Sequence, residues 1–269
     1  MNANGIYGVN FYTLGVPHTV IVDDYLPLHK SASGTYSTQA AALGTDGALW
    51  GPILEKAFAK YHGNYWHMEG GSPQMAIKTL NGAPIKYVMH SDATEAKIWT
   101  ELQAAEKRGD MITAGSHSKA GKTDKDNFAN GISIMHAYTV LKPVLVTDAK
   151  GKKIKLVKMR NPWGKEDYKG PYSDNSKLWT AALKKQVGGL TVNKKDGIFY
   201  IPLDHYKKSF VETQVSLNTA KMSRSHFLVL NDTKKNTRKG TNCKGTCSYH
   251  KFTITSATTQ LVYLKVATW

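Results

Sequence analysis

Residues 132–163, ISIMHAYTVLKPVLVTDAKGKKIKLVKMRNPW, decide how this chain reads. Two runs rich in β-branched and apolar residues flank Asp148 and Gly151, both turn formers, so the stretch reads as an antiparallel hairpin. Centring the turn there puts His136 on one strand opposite Asn161 on the other, or one diagonal step away. An imidazole is thereby set beside a carboxamide.

Outward from the hairpin, further strands are expected at MITAGS (111–116), GIFYIPLD (197–204) and VETQVSLN (211–218), with one helical interruption over 176–187. Helices come earlier. Trp50, Ile53, Leu54, Ala57, Phe58 and Tyr61 recur at helical spacing and Gly63 closes that run. Ser72 and Pro73 open a second helix ending near Gly82. A third starts at Asp92 with Glu95 completing a capping box, carries Ile98, Trp99 and Leu102 inward, and stops at Gly109. Residues 7–27 form an N-terminal hairpin about Gly15 and Pro17. The layout is α+β, with helices packed at one end of an antiparallel sheet. Residues 1–219 make one domain, and residues 220–269, poor in helix formers, read as the incomplete start of a β-sandwich.

With 269 residues, 41% of them hydrophobic, the chain can bury a core, which excludes a disordered tail or fibrous repeat. No apolar run reaches the roughly 18 residues that a membrane span needs. Cys243 and Cys247 are the two cysteines, too few for a disulfide framework, and a reducing, cytoplasmic setting fits. Lys and Arg total 36 against 20 Asp and Glu, a net charge of +16. No arginine cluster or RNA-binding aromatic pattern accompanies that charge, so an acidic protein partner fits better than nucleic acid. A tubulin tail in a cytoskeletal assembly would be one such partner.

In a thiol protease a histidine takes the proton of the nucleophile while an asparagine carbonyl holds its other ring nitrogen. Taken alone, a His and an Asn on neighbouring strands are more often ordinary structural residues. The surrounding words change this. MHAYTV (135–140), LVKMRNPWG (156–164) and YSDNSKLW (172–179), preceded by LWGPILEKAFAKYHGNYWHMEGGSPQMAIKTLNG (49–82) and followed by DGIFYIPLDHYKKSF (196–210), resemble the second half of a calpain-type, papain-like cysteine protease core. The resemblance spans residues 5–218. It implies that His136 is the catalytic histidine, Asn161 its orienting partner, Trp163 a shield over their contact, and Gly71 a position whose backbone binds extended substrate.

The departures from that pattern matter as much. The family's nucleophilic cysteine and oxyanion glutamine belong to a preceding half, and Cys243 and Cys247 lie beyond the last core strand, so residues 1–269 alone should not cleave peptides. Met135 stands where the family has a glycine before the histidine, and its side chain would crowd the groove. The resemblance places calcium ligands at Asp167, Asp174 and Asp196, but Ile198 replaces a further acidic ligand and Lys194 and Lys195 add positive charge, which implies a weak or lost site. Asp174 and Asn175 also read as a cap for the helix over 176–187, a role that suits Asn175. Two functional readings follow: a noncatalytic structural or interaction component of a larger assembly, or part of a calcium-dependent cysteine endopeptidase whose nucleophile is supplied upstream or by another chain.

Overall fold

The structure is a computed structural model that describes residues 4–13, 15–44, 46–165, 168–190 and 196–220, and the backbone of 237–238 and 247–248. The chain divides into two compact units, Met1–Lys221 and Met222–Trp269.

The first unit opens with a two-stranded hairpin, β1 (Ile6–Thr13) and β2 (Val16–Asp23), in which Phe11 faces His18 and Tyr12 faces Pro17. Pro17 therefore lies within a strand of this isolated ribbon, where an edge position tolerates its missing N–H. After the short pair β3 (Leu28–Lys30) and β4 (Tyr36–Thr38) comes α1 (Trp50–Tyr61). Phe11 and Val22 on the inner face of the ribbon pack on Ile53 and Ala57 of α1, closing a small core. Helical spacing assigned Trp50 to that apolar face, but it stands at the first position of the helix and is 71% exposed.

A 3-10 turn over Trp66–Met68 leads to α2 (Pro73–Asn81), which begins with proline and ends at a left-handed Gly82. Next come β5 (Ile85–Met89) and α3 (Glu95–Arg108). The cap of α3 is Thr94, whose hydroxyl accepts from the Lys97 N–H at 3.2 Å, so Asp92 is not the cap and Glu95 is the first helical residue.

The main sheet is built from β5, β6 (Met111–Ser116), β7 (Ala137–Thr147), β8 (Lys153–Arg160), β9 (Ile198–Pro202) and β10 (Phe210–Ser216), in the order β5-β10-β6-β7-β8-β9 with every pair antiparallel. Two short helices complete the unit, α4 (Ala181–Gln186) between β8 and β9, and α5 (Leu203–Ser209) between β9 and β10. One sheet face packs against α3 and α5 through Ile98, Trp99, Leu102 and Tyr206. The other, toward β7–β9, is covered by Trp179, Leu183 of α4 and Val187.

Three further sequence expectations are corrected. Residues 132–136 are not strand: Gly131 and Met135 both take positive φ and the segment folds into turns, with the Phe128 N–H donating to the Ile132 carbonyl. Residues 176–180 are not helix: Thr180 is the cap of α4, its hydroxyl accepting from the Leu183 N–H at 3.2 Å, so Asn175 caps nothing there. Leu203 and Asp204 leave the strand and start α5. The β-sandwich start expected over 220–269 lies outside the described residues, apart from the antiparallel pair β11 (Thr237–Arg238) and β12 (Cys247–Ser248). Cys243 and the Cys247 side chain also lie outside them.

Candidate active site

The hairpin of β7 and β8 delivers the site. Asp148 builds its turn: the carboxylate accepts from the N–H groups of Lys150 and Lys152, and Gly151 takes φ +80. From the turn the strands run in one register, Thr147 opposite Lys153 through Lys142 opposite Lys158, until Leu141 adds an extra residue to β7. Beyond this bulge Val140 faces Met159 and Thr139 faces Arg160. The bulge also switches which core β7 feeds, Val144 and Val146 toward α4 but Tyr138 and Val140 toward α3.

Continuing the shifted register by one step sets Asn161 against Tyr138, on the face that His136 shares with Tyr138. The two side chains meet there, His136 Nε2 lying 2.9 Å from Asn161 Oδ1. The Trp163 N–H also donates to that oxygen at 3.1 Å. Two donors converging on one atom fix the amide orientation, and they make Nε2 the protonated imidazole nitrogen. Nδ1 is left as the basic one, without a hydrogen-bond partner among the described residues.

The Trp163 indole lies over the imidazole with ring centroids 4.1 Å apart, and Tyr138 meets its edge at 4.9 Å. His136 is only 9% exposed. Burial holds its pKa below the ordinary histidine value, opposed by the Asn161 hydrogen bond and the negative charge of Asp124. A neutral imidazole covered by an indole and oriented by an amide can accept a proton at Nδ1 and return it.

Ser116, Gly197 and Tyr138 hold this group although the sequence reading passed them over. Ser116 Oγ accepts from the His136 N–H at 2.9 Å and donates to the Ser133 carbonyl at 2.6 Å. Gly197 accepts from the Asn161 N–H at 2.8 Å, and a Cβ on it would stand 2.4 Å from the Asn161 carbonyl oxygen. The Asp196-Gly197 dipeptide was the available signal for Gly197, and the i, i+2 spacing from His136 the one for Tyr138. No local pattern marked Ser116.

The remaining candidates take no part in the hydrogen bonds and ring contacts given above for His136, Asn161 and Trp163. Met135 adopts φ +50 and is 60% exposed. Gly71 is exposed between the 3-10 turn and α2, at φ +157 with open space where a Cβ would be. Asp174 is buried beside Tyr200, whose phenol its charge helps to raise. One Asp196 carboxylate oxygen accepts from the Ile198 N–H at 2.8 Å, closing its own turn. Asp167, Lys194 and Lys195 lie outside the described residues. Among the described residues no three His, Cys, Asp or Glu side chains converge as metal ligands, and Ile198 adds no oxygen.

The sequence profile of calpain family cysteine proteases matches residues 1–217. The chain belongs to the calpain family. Among calpain relatives it is 33% identical over 216 residues to the calpain-type cysteine protease ADL1 of Oryza sativa subsp. japonica, covering 78% of this chain and 9% of that protein. It is 30% identical over 221 residues to Calpain-A of Drosophila melanogaster, covering 80% and 26%. To human Calpain-14 it is 31% identical over 212 residues, covering 77% and 29%. This calpain-family chain thus spans less than a third of the length of these relatives, and its matched part ends close to the boundary of the first compact unit.

Proposed function

We propose that residues 1–217 supply the histidine and asparagine half of a calpain-type cysteine endopeptidase site. The observation that carries this reading is the convergence on Asn161 Oδ1, which commits Nε2 as a donor and leaves Nδ1 as the base. A thiol brought to Nδ1 from outside the described residues would lose its proton to His136. The imidazolium formed would be steadied by Asn161 and would pass its proton to the leaving amine of a peptide. Trp163 keeps water from the Nε2 contact and so preserves the orientation.

One observation favours the other reading, a noncatalytic interaction component. The exposed Met135 side chain stands directly before His136, at the position where the family's glycine would let a peptide backbone approach.

Hydrolysis of a fluorogenic peptide by the full-length gene product, with calcium present, separates the two. The protease reading expects His136→Ala to lower turnover by about a thousandfold or more and Asn161→Ala by a smaller factor. Absence of turnover in the unsubstituted product would establish the noncatalytic reading.

A further inference from the structure

A cleft of about 730 Å³ separates residues 40–44 and Trp50 on one side from Arg160, Trp163 and Lys165 on the other. Both cations are exposed, and among the described residues neither pairs with a carboxylate and no acidic side chain lines the cleft. Arg160 spends Nε on the Asp196 carbonyl at 3.2 Å, and its terminal amino groups have no partner among the described residues. Trp50 and Trp163 present flat apolar surface, 71% and 47% exposed. Along the opposite wall, Ala42 and Leu43 are exposed and lie outside helix and sheet, and their backbone N–H groups donate no hydrogen bond among the described residues.

We propose that this cleft binds an extended acidic peptide segment. Carboxylates would pair with Arg160 and Lys165, an apolar or aromatic side chain would lie between Trp50 and Trp163, and the Ala42 or Leu43 N–H would donate to a peptide carbonyl. With Arg160 and Lys165 as the cations of its lining, the cleft suits a peptide better than single-stranded nucleic acid, which would need a longer track of cations along its backbone. Because Trp163 also covers His136, a segment in the cleft lies against the candidate active site. The inference rests on the proposed function for the peptide's onward path to His136, and not for the binding itself.

Fluorescence anisotropy with residues 1–269 tests binding without turnover. The probes are a fluorescein-labelled decapeptide carrying two adjacent glutamates between leucine and phenylalanine, the same peptide with lysine for glutamate, and a decathymidylate. The acidic peptide should bind, weaken as salt is raised, and lose about five- to tenfold in affinity with Lys165→Glu and about fivefold with Trp50→Ala. Lys165→Glu is the safer variant because Arg160 also bonds the backbone. Equal affinity of Lys165→Glu and unsubstituted protein, or decathymidylate binding as tightly as the acidic peptide, would overturn the proposal. Absence of turnover by the unsubstituted full-length product, with this binding intact, would count against the base assignment alone.

Discussion

Asn161 reaches His136 because β7 carries one residue more than β8 between them. With Val140 opposite Met159 and Lys142 opposite Lys158, Leu141 has no partner, and the register beyond it moves by one. Without that shift the register would set Asn161 opposite Thr139, on the face turned away from His136. The 2.9 Å contact between imidazole and amide is thus a property of the bulge as much as of the two residues.

Substituting Asn161 with aspartate tests the electrostatics of that contact. A carboxylate facing Nε2 favours the imidazolium, so the His136 pKa, held below its ordinary value by burial, should rise by roughly one to three pH units in Asn161→Asp. NMR titration of the His136 Cε1 proton reads the value. An unchanged pKa would mean that the ring and residue 161 are not in contact in solution.

Met135 offers a test of backbone strain. A side chain at φ +50 costs about 1 kcal/mol, while glycine loses about 0.4–1 kcal/mol through the freedom it adds to the unfolded chain. Because Met135 is largely exposed, Met135→Gly should leave the Tm unchanged or raise it by about 2 °C. Met135→Val, β-branched at the same φ, should lower it. Calorimetry on both variants makes the comparison, and a Tm lower for glycine than for valine would contradict it.

Gly197→Ala should be among the most damaging single substitutions at the site. At φ +71 the new methyl group would meet the Asn161 carbonyl oxygen 2.4 Å away, a backbone atom that cannot rotate aside. A loss of about 2 kcal/mol or more in urea unfolding is expected, together with displaced His136 ring resonances. Wild-type stability in this variant would show that the turn relaxes freely.

A buried chain of hydrogen bonds at His90 makes stability depend on pH. Its Nδ1 lies 2.8 Å from the Phe210 carbonyl and must carry the proton, so Nε2 accepts from the Thr213 hydroxyl at 2.9 Å, which in turn accepts from the Tyr206 hydroxyl at 2.7 Å. A second proton on the ring would reverse Thr213 and leave the Tyr206 hydroxyl hydrogen without that acceptor in the core. Burial lowers the His90 pKa from 6.5 to about 4, outweighing backbone hydrogen bonds at Phe210 and Lys207 that act to raise it, with the charges of His117 and Lys207 also pushing it down. The unfolded chain therefore binds this proton first: the contribution is complete above about pH 6.5 and is lost as pH falls toward 4. Urea unfolding across that window should show stability falling with acidity, and His90→Gln should flatten the slope by up to about 1.4 kcal/mol per pH unit. An identical slope in the variant would exclude His90 as its source.

Short-range chemistry made much of this protein legible in its sequence. Apolar spacing located α1 and α3, proline and glycine bracketed α2, and the Asp148–Gly151 turn joined β7 to β8 with His136 and Asn161 near each other at the open end. These features depend on residues within one or two turns of chain, where periodicity and turn preference act. Other features depended on distant partners. The place of β10 between β5 and β6, the exposure of Trp50, the positioning of His136 by Ser116 and the cleft between residues 40–44 and Lys165 each join segments far apart in sequence. The bulge at Leu141 shows the difference most clearly. Nothing in LKPV marks an extra residue. It follows from fitting Tyr138 and Val140 into the core under α3 while Val144 and Val146 fill the opposite one, and only packing on both sheet faces at once decides which face Asn161 shares.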